Sequence, residues 1–177
     1  MIHFPDAFVS LLKRTAETLK LSSSLPFDQL LGRVLSTLEL DLHAALFCTR
    51  KIQESVGVPL DLEQQTLLVS CWPITQERKR EILATPNPPL EKWYQLTTSH
   101  GQRITYQQVI EIFIHARLCN FVHFIEDHEN AIVVSSDHTM RERLYLIRFT
   151  DLSKILLHAV SIFQPVVERR RNRGSLP

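Results

Sequence analysis

Apolar residues in this chain recur mostly at intervals of three and four, the period of a helix with one buried face. Behind Asp6, a residue able to cap, Phe8, Leu11, Leu12, Thr15 and Leu19 keep that spacing and predict a first helix ending near Lys20. Leu21 to Ser24 reads as a connection. From Leu31 through Leu35, Leu38, Leu42, Ala45, Thr49, Ile52 and Val56 the apolar positions alternate by four and three. Leu30, Val34 and Leu46 widen this seam into a stripe broad enough for a helical core. Ser24 as N-cap and Pro26 in the first turn predict where the helix starts, and Gly57 and Pro59 predict its end. Gly32 weakens it by about 1 kcal/mol relative to alanine.

Further along, the pattern admits two periods. Asp61-Leu62-Glu63-Gln64 has capping-box spacing and opens either a helix to Trp72 or, through Leu67-Leu68-Val69, a short buried strand; Pro73 ends both. Short helices are expected from Thr75 to Leu83 and from Leu90 to Leu96, separated by a flexible linker at Thr85-Pro86-Asn87-Pro88-Pro89. Thr97 to Arg103 is polar. Thr105-Tyr106-Gln107-Gln108 is a second capping box and predicts a central helix from Tyr106 to about Asp127, apolar around most of its circumference. Thr139-Met140-Arg141-Glu142 opens one long helix from Met140 to Phe163, with Tyr145, Phe149, Leu152, Leu156, Ala159 and Phe163 along its seam. The alternative is a β-hairpin over 132–149, pairing Ile132-Val133-Val134 with Leu144-Tyr145-Leu146-Ile147. The preferred fold class is therefore mainly α: an irregular bundle of about five to seven helices, with that C-terminal hairpin as the alternative to the long final helix. Residues 1–164 form one helical domain, and residues 165–177 a basic, mobile tail beyond Pro165.

Composition narrows the function classes. The 177 residues can bury a core without disulfides or a structural metal. Only four glycines are present, and the chain contains no P-loop, G-x-G-x-x-G or G-x-S-x-G. With no apolar run of membrane-spanning length and no signal peptide, the chain is expected in the cytoplasm, away from membranes. Cys48, Cys71 and Cys119 are scattered and odd in number, which suits reduced thiols. Arg169, Arg170, Arg171 and Arg173 crowd the C-terminal end; without them the net charge falls from +1 to about −3. A basic tail on an acidic body suits nucleic-acid phosphates or an acidic protein partner.

Two constellations could carry chemistry. On the expected helix from Tyr106, the residues Glu111, His115, Cys119, His123 and Asp127 fall at four-residue intervals, and all are potential metal ligands. His115–Cys119 or Cys119–His123 could clamp one zinc ion, completed by His43, His128 or His138; His115 and His123 together, about 12 Å apart along the axis, could not. The other reading is a polar stripe on a buried helix, with no cofactor. Arg117 and His123 enclose five residues, and this spacing resembles the Arg-x4–6-His motif of HEPN ribonucleases, which are also helical. The resemblance covers seven residues and implies an arginine and an imidazole acting together on one phosphodiester, usually at a dimer seam. Six residues turn a helix through about 240° beyond a full circle, so the two side chains diverge, and Leu118 stands where that family often has a polar residue.

These observations favour a non-catalytic adaptor, accessory or regulatory protein working through protein contacts, with another protein or a second copy as partner. Leu35, Leu38, Leu42, Phe149 and Leu156 are the seam residues expected at such an interface. The alternative readings are a nucleic-acid-binding regulator using its arginine tail and, third, a HEPN-like ribonuclease.

Overall fold

The computed structural model describes residues 4–30, 33–56, 62, 64–75, 89–124 and 128–174. It corrects the fold class. The chain is a mixed α and β fold that contains a five-stranded antiparallel sheet, not a mainly α helical bundle. It divides into two compact units: Met1–Asp61 with Thr150–Pro177, and Leu62–Phe149.

The first unit is helical. Helix α1 (Phe4–Ser22) follows the expected spacing, and Leu12, Ala16 and Leu19 on one of its faces are buried. The single helix expected from 26 to 56 is two: α2 (Phe27–Leu30) and α3 (Arg33–Val56), with Gly32 outside the described residues. The α3 seam holds, because Leu38, Leu42, Ala45, Thr49 and Ile52 are buried, and the Thr49 hydroxyl donates to the Ala45 carbonyl at 2.9 Å. Arg14 of α1 meets Asp41 of α3 at 3.3 Å on the surface. The remaining helix of this unit, α6 (Phe149–Gly174), buries Leu152, Ile155, Leu156, Ala159 and Phe163. The Ser153 hydroxyl of α6 donates to the Ala16 carbonyl of α1 at 2.8 Å, a buried bond between segments 137 residues apart. Pro165 lies inside α6, not at its end; it lacks the amide that would bond the Ser161 carbonyl, yet the helix continues to Gly174.

In the second unit the strands are β1 (Thr66–Pro73), β2 (His100–Thr105), β3 (Ala116–Phe124), β4 (Glu129–Ser136) and β5 (Arg143–Arg148), in the order β2-β1-β5-β4-β3. Among the described residues two helices accompany them, α4 (Leu90–Trp93) and α5 (Tyr106–Ile114). Of the two readings at Leu67-Leu68-Val69, the strand is correct: burial alternates along β1, with Leu67 and Val69 in and Leu68 out. Strand β2 takes in the second half of the polar stretch from Thr97 to Arg103. It is an edge strand, held by six register pairs with β1, and Ile104 is its one buried residue, so its stability comes from backbone pairing that no apolar pattern announces. The linker expected at 85–89 lies, except for Pro89, outside the described residues.

The expected helix from Tyr106 to Asp127 splits. The capping box forms as read: the Thr105 hydroxyl accepts from the Gln108 amide, and the Gln108 side chain accepts from the Thr105 amide. After Ile114 the chain turns at His115 and continues as β3. Residues 118–124 are Leu-Cys-Asn-Phe-Val-His-Phe, mostly poor helix formers, and eight register pairs with β4 outweigh a helical continuation.

The preferred long helix from Met140 to Phe163 is corrected as well, in favour of the hairpin alternative. β4 and β5 pair from Ala131↔Arg148 to Val134↔Tyr145, and α6 starts only at Phe149. β5 lies between β1 and β4, so Leu144 to Ile147 are buried on both faces of the sheet, and a run apolar on both faces carries no period of its own. The capping signal at Thr139 belongs to a single closed turn. Thr139 and Ser136 exchange side-chain-to-amide bonds at 3.0 and 3.2 Å, and the Met140 amide bonds the Ser136 carbonyl at 2.8 Å.

One sheet face supplies a core in which Trp72, Leu118, Val133, Leu144 and Leu146 meet Ile74, Trp93, Tyr94 and Met140. α5 packs near β4 and β2, contributing buried Val109, Ile110, Ile112 and Phe113. No helix among the described residues is long and apolar enough to cross a membrane.

Candidate functional site

The end of α5 and the turn between β4 and β5 form a cleft of about 330 Å³ within the second unit. Gln108, Glu111 and Ile112 of α5 with its C-cap His115 line one side, Ser136 at the end of β4 with His138 and Thr139 of the turn another, and Ile104 and Tyr145 complete the wall. The backbone fixes this arrangement. His115 is the residue at which α5 ends, and its carbonyl accepts the Asp137 amide at 3.1 Å, so the helix end and the turn are tied together. Across the sheet, one oxygen of Gln102 on β2 accepts from Arg143 of β5 at 2.6 Å and from the Cys71 thiol of β1 at 3.6 Å. Burial raises the Tyr145 phenol above its ordinary range, against the charge of Arg143.

Polar side chains gather at the mouth of the cleft. One ligand atom each from His115, Asp137 and His138 lies within 4.8 Å of the others. The two imidazole rings meet edge to face, with centroids 5.6 Å apart. Glu111, one helical turn before His115, brings a carboxylate oxygen to 3.7 Å from its Nε2, while Gln107 donates to the other Glu111 oxygen at 2.9 Å. A carboxylate oxygen of Asp137 lies 3.6 Å from His138 Nε2. All three candidate ligands are exposed to solvent.

The expected metal stripe is therefore divided. Glu111 and His115 stay together on α5, whereas Cys119 and His123 lie on β3, opposite Val134 and Asn130. His123 Nδ1 is 2.9 Å from the Asn130 side-chain oxygen. Asp127 lies outside the described residues. His138, one of the remote ligands the sequence offered, joins His115, and Asp137 was missed. The signal for Asp137 was the polar Ser-Ser-Asp-His-Thr segment between two apolar runs, which only the hairpin reading carries to the end of a sheet.

Arg117 and His123 both fall on β3, Arg117 as the extra residue of a bulge opposite β4. Six residues of strand span about 20 Å, so one chain does not bring the pair to a single phosphodiester. Arg169 is exposed on α6, and the backbone at Arg170, Arg171 and Arg173 continues that helix. Among the interface candidates, Leu38, Leu42, Phe149 and Leu156 are buried within the folded chain and Leu35 is partly so. Among the described side chains of α3, the exposed large apolar residues are instead Leu40 and Phe47, at 72% and 51% exposure, which the seam did not include. Cys48 and Cys71 are buried thiols whose pKa values desolvation raises, as expected of core cysteines.

Comparison with protein-family models, with curated proteins and with solved structures finds no match, so the functional reading rests on fold and chemistry alone.

Proposed function

We propose that this chain is a non-catalytic accessory or regulatory protein that acts through protein contacts, and that one partner is a second copy of itself. The supporting observation is the exposed apolar stripe on α3. Leu40 and Phe47 stand one heptad apart with the partly exposed Ala44 between them, beside a seam of which Leu38, Leu42, Ala45, Thr49 and Ile52 are already buried. Such a stripe is self-complementary: two α3 helices crossing antiparallel near Ala44 place Leu40 of each against Phe47 of the other. Lys51 already lies 5.6 Å from the Phe47 ring centroid and would frame that contact. The wild-type chain is expected at twice its 20.5 kDa mass by light scattering, and the Leu40→Asp/Phe47→Asp variant at 20.5 kDa with unchanged circular dichroism. A wild-type chain that stays monomeric as its concentration is raised rejects self-association.

A second reading, phosphate binding by the C-terminal arginines, draws support from the continuation of α6 through Gly174, which gives the cluster a helical backbone. Binding to duplex DNA or RNA should then weaken steeply with salt, and a chain ending at Val167 should lose both affinity and salt dependence. Equal affinity of the two chains rejects the role of the cluster.

A further inference from the structure

We infer that His115, Asp137 and His138 form a zinc-binding site with one coordination position open to the cleft. Two imidazoles and a carboxylate are a donor set that suits Zn²⁺, whereas a site for magnesium or calcium would be built from oxygens. The three ligand atoms lie within 4.8 Å of one another. Tetrahedral zinc, with bonds of about 2.0–2.1 Å, needs its ligands roughly 3.4 Å apart, so each pair closes by at most about 1.4 Å. The Asp137 amide bonds the His115 carbonyl at 3.1 Å and holds the helix end against the turn, so the backbone already brings the three residues together.

The surroundings support the same assignment. Glu111 is a positioning residue. It sits one helical turn before His115, with an oxygen 3.7 Å from that ring, and is itself oriented by Gln107. At 3.7 Å this is an ionic contact; shortened to hydrogen-bond distance at the ring nitrogen that zinc leaves free, the carboxylate would fix the ring and its tautomer. Three protein ligands leave one position, which faces the cleft and would hold water or a small anionic ligand such as a carboxylate. This inference rests only on the second unit and is independent of the α3 contact.

Zinc binding to the full chain, followed by calorimetry with zinc chloride and by metal analysis after dialysis, tests it. The expected result is one zinc per chain that is absent from His138→Ala. His138 is 78% exposed on its side chain, so this substitution should leave the fold intact, as circular dichroism would verify. Glu111→Gln should keep the zinc but bind it about tenfold more weakly. Cobalt in place of zinc should give the visible absorption of a four-coordinate nitrogen and oxygen site, and His115→Ala should abolish it. His100→Ala, on β2 and outside the cleft lining, should change nothing. Failure of the wild-type chain to retain zinc through dialysis overturns the inference, as does zinc retained equally by the His138→Ala chain.

Discussion

Replacing Tyr94 with alanine is expected to cost about 3–5 kcal/mol of stability in urea unfolding, among the largest single-site effects in the molecule. Tyr94 is 1% exposed and lies among Trp72, Ile74, Trp93 and Leu144 on one face of the sheet. Its loss removes the ring and leaves a cavity that the surrounding strands and turn can fill only in part. Tyr94→Phe isolates the polar contribution. The phenol donates to the Met140 carbonyl at 3.1 Å, and deleting it leaves a buried acceptor without that partner, at about 1–2 kcal/mol. The same hydroxyl predicts a pH dependence. Burial pushes the Tyr94 phenol up from 10.0 to about 12, with a hydrogen bond to Ser135 acting in the opposite direction. The folded state thus holds its proton more tightly than the unfolded state does. The stabilisation is complete below pH 10 and is lost as the pH rises through 12, by roughly 2–3 kcal/mol. Unfolding free energies of the wild type measured across that window should fall more steeply than those of Tyr94→Phe, and equal slopes would show that the phenol does not contribute.

Phe149→Ala should cost a comparable 3–5 kcal/mol. Phe149 is fully buried, and its ring stands edge to face with Phe121 of β3, at 5.8 Å between centroids and 89° between planes. It is also the first residue of α6, directly after β5, so the ring occupies the point where the chain leaves the sheet. Phe149→Leu keeps most of the buried area and should cost less than half as much. Equal destabilisation by the two substitutions would mean that the contact with Phe121 matters more than cavity volume.

Phe149 also shows where the sequence could be read and where it could not. Its spacing to Leu152, Leu156 and Phe163 correctly marked a helix, but the same spacing backwards to Tyr145 was accidental, because Tyr145 belongs to a central strand. Helices with one wet face, α1 and α3, announced themselves through their period. Central strands β4 and β5, buried on both faces, and the polar edge strand β2 did not, since neither kind alternates cleanly. The Thr105–Gln108 capping box identified the start of α5 but not its end, for helix termination at His115 depends on pairing with β4. The candidate site was half legible for the same reason. Glu111 and His115 share a helix and were found together. Asp137 and His138 reach them only through the hairpin, and the misread helix from Met140 hid that contact.

The bond between Ser153 and Ala16 has a consequence for biosynthesis. On the ribosome, Leu12, Ala16 and Leu19 emerge long before the α6 residues that complete their unit. The whole sheet unit is made in the interval, and at about 5–20 residues per second the wait lasts on the order of ten seconds. Through that time the Ala16 carbonyl lacks the Ser153 hydroxyl and the helical unit stays incomplete, which leaves the nascent chain open to chaperone capture or misassembly until α6 has been made.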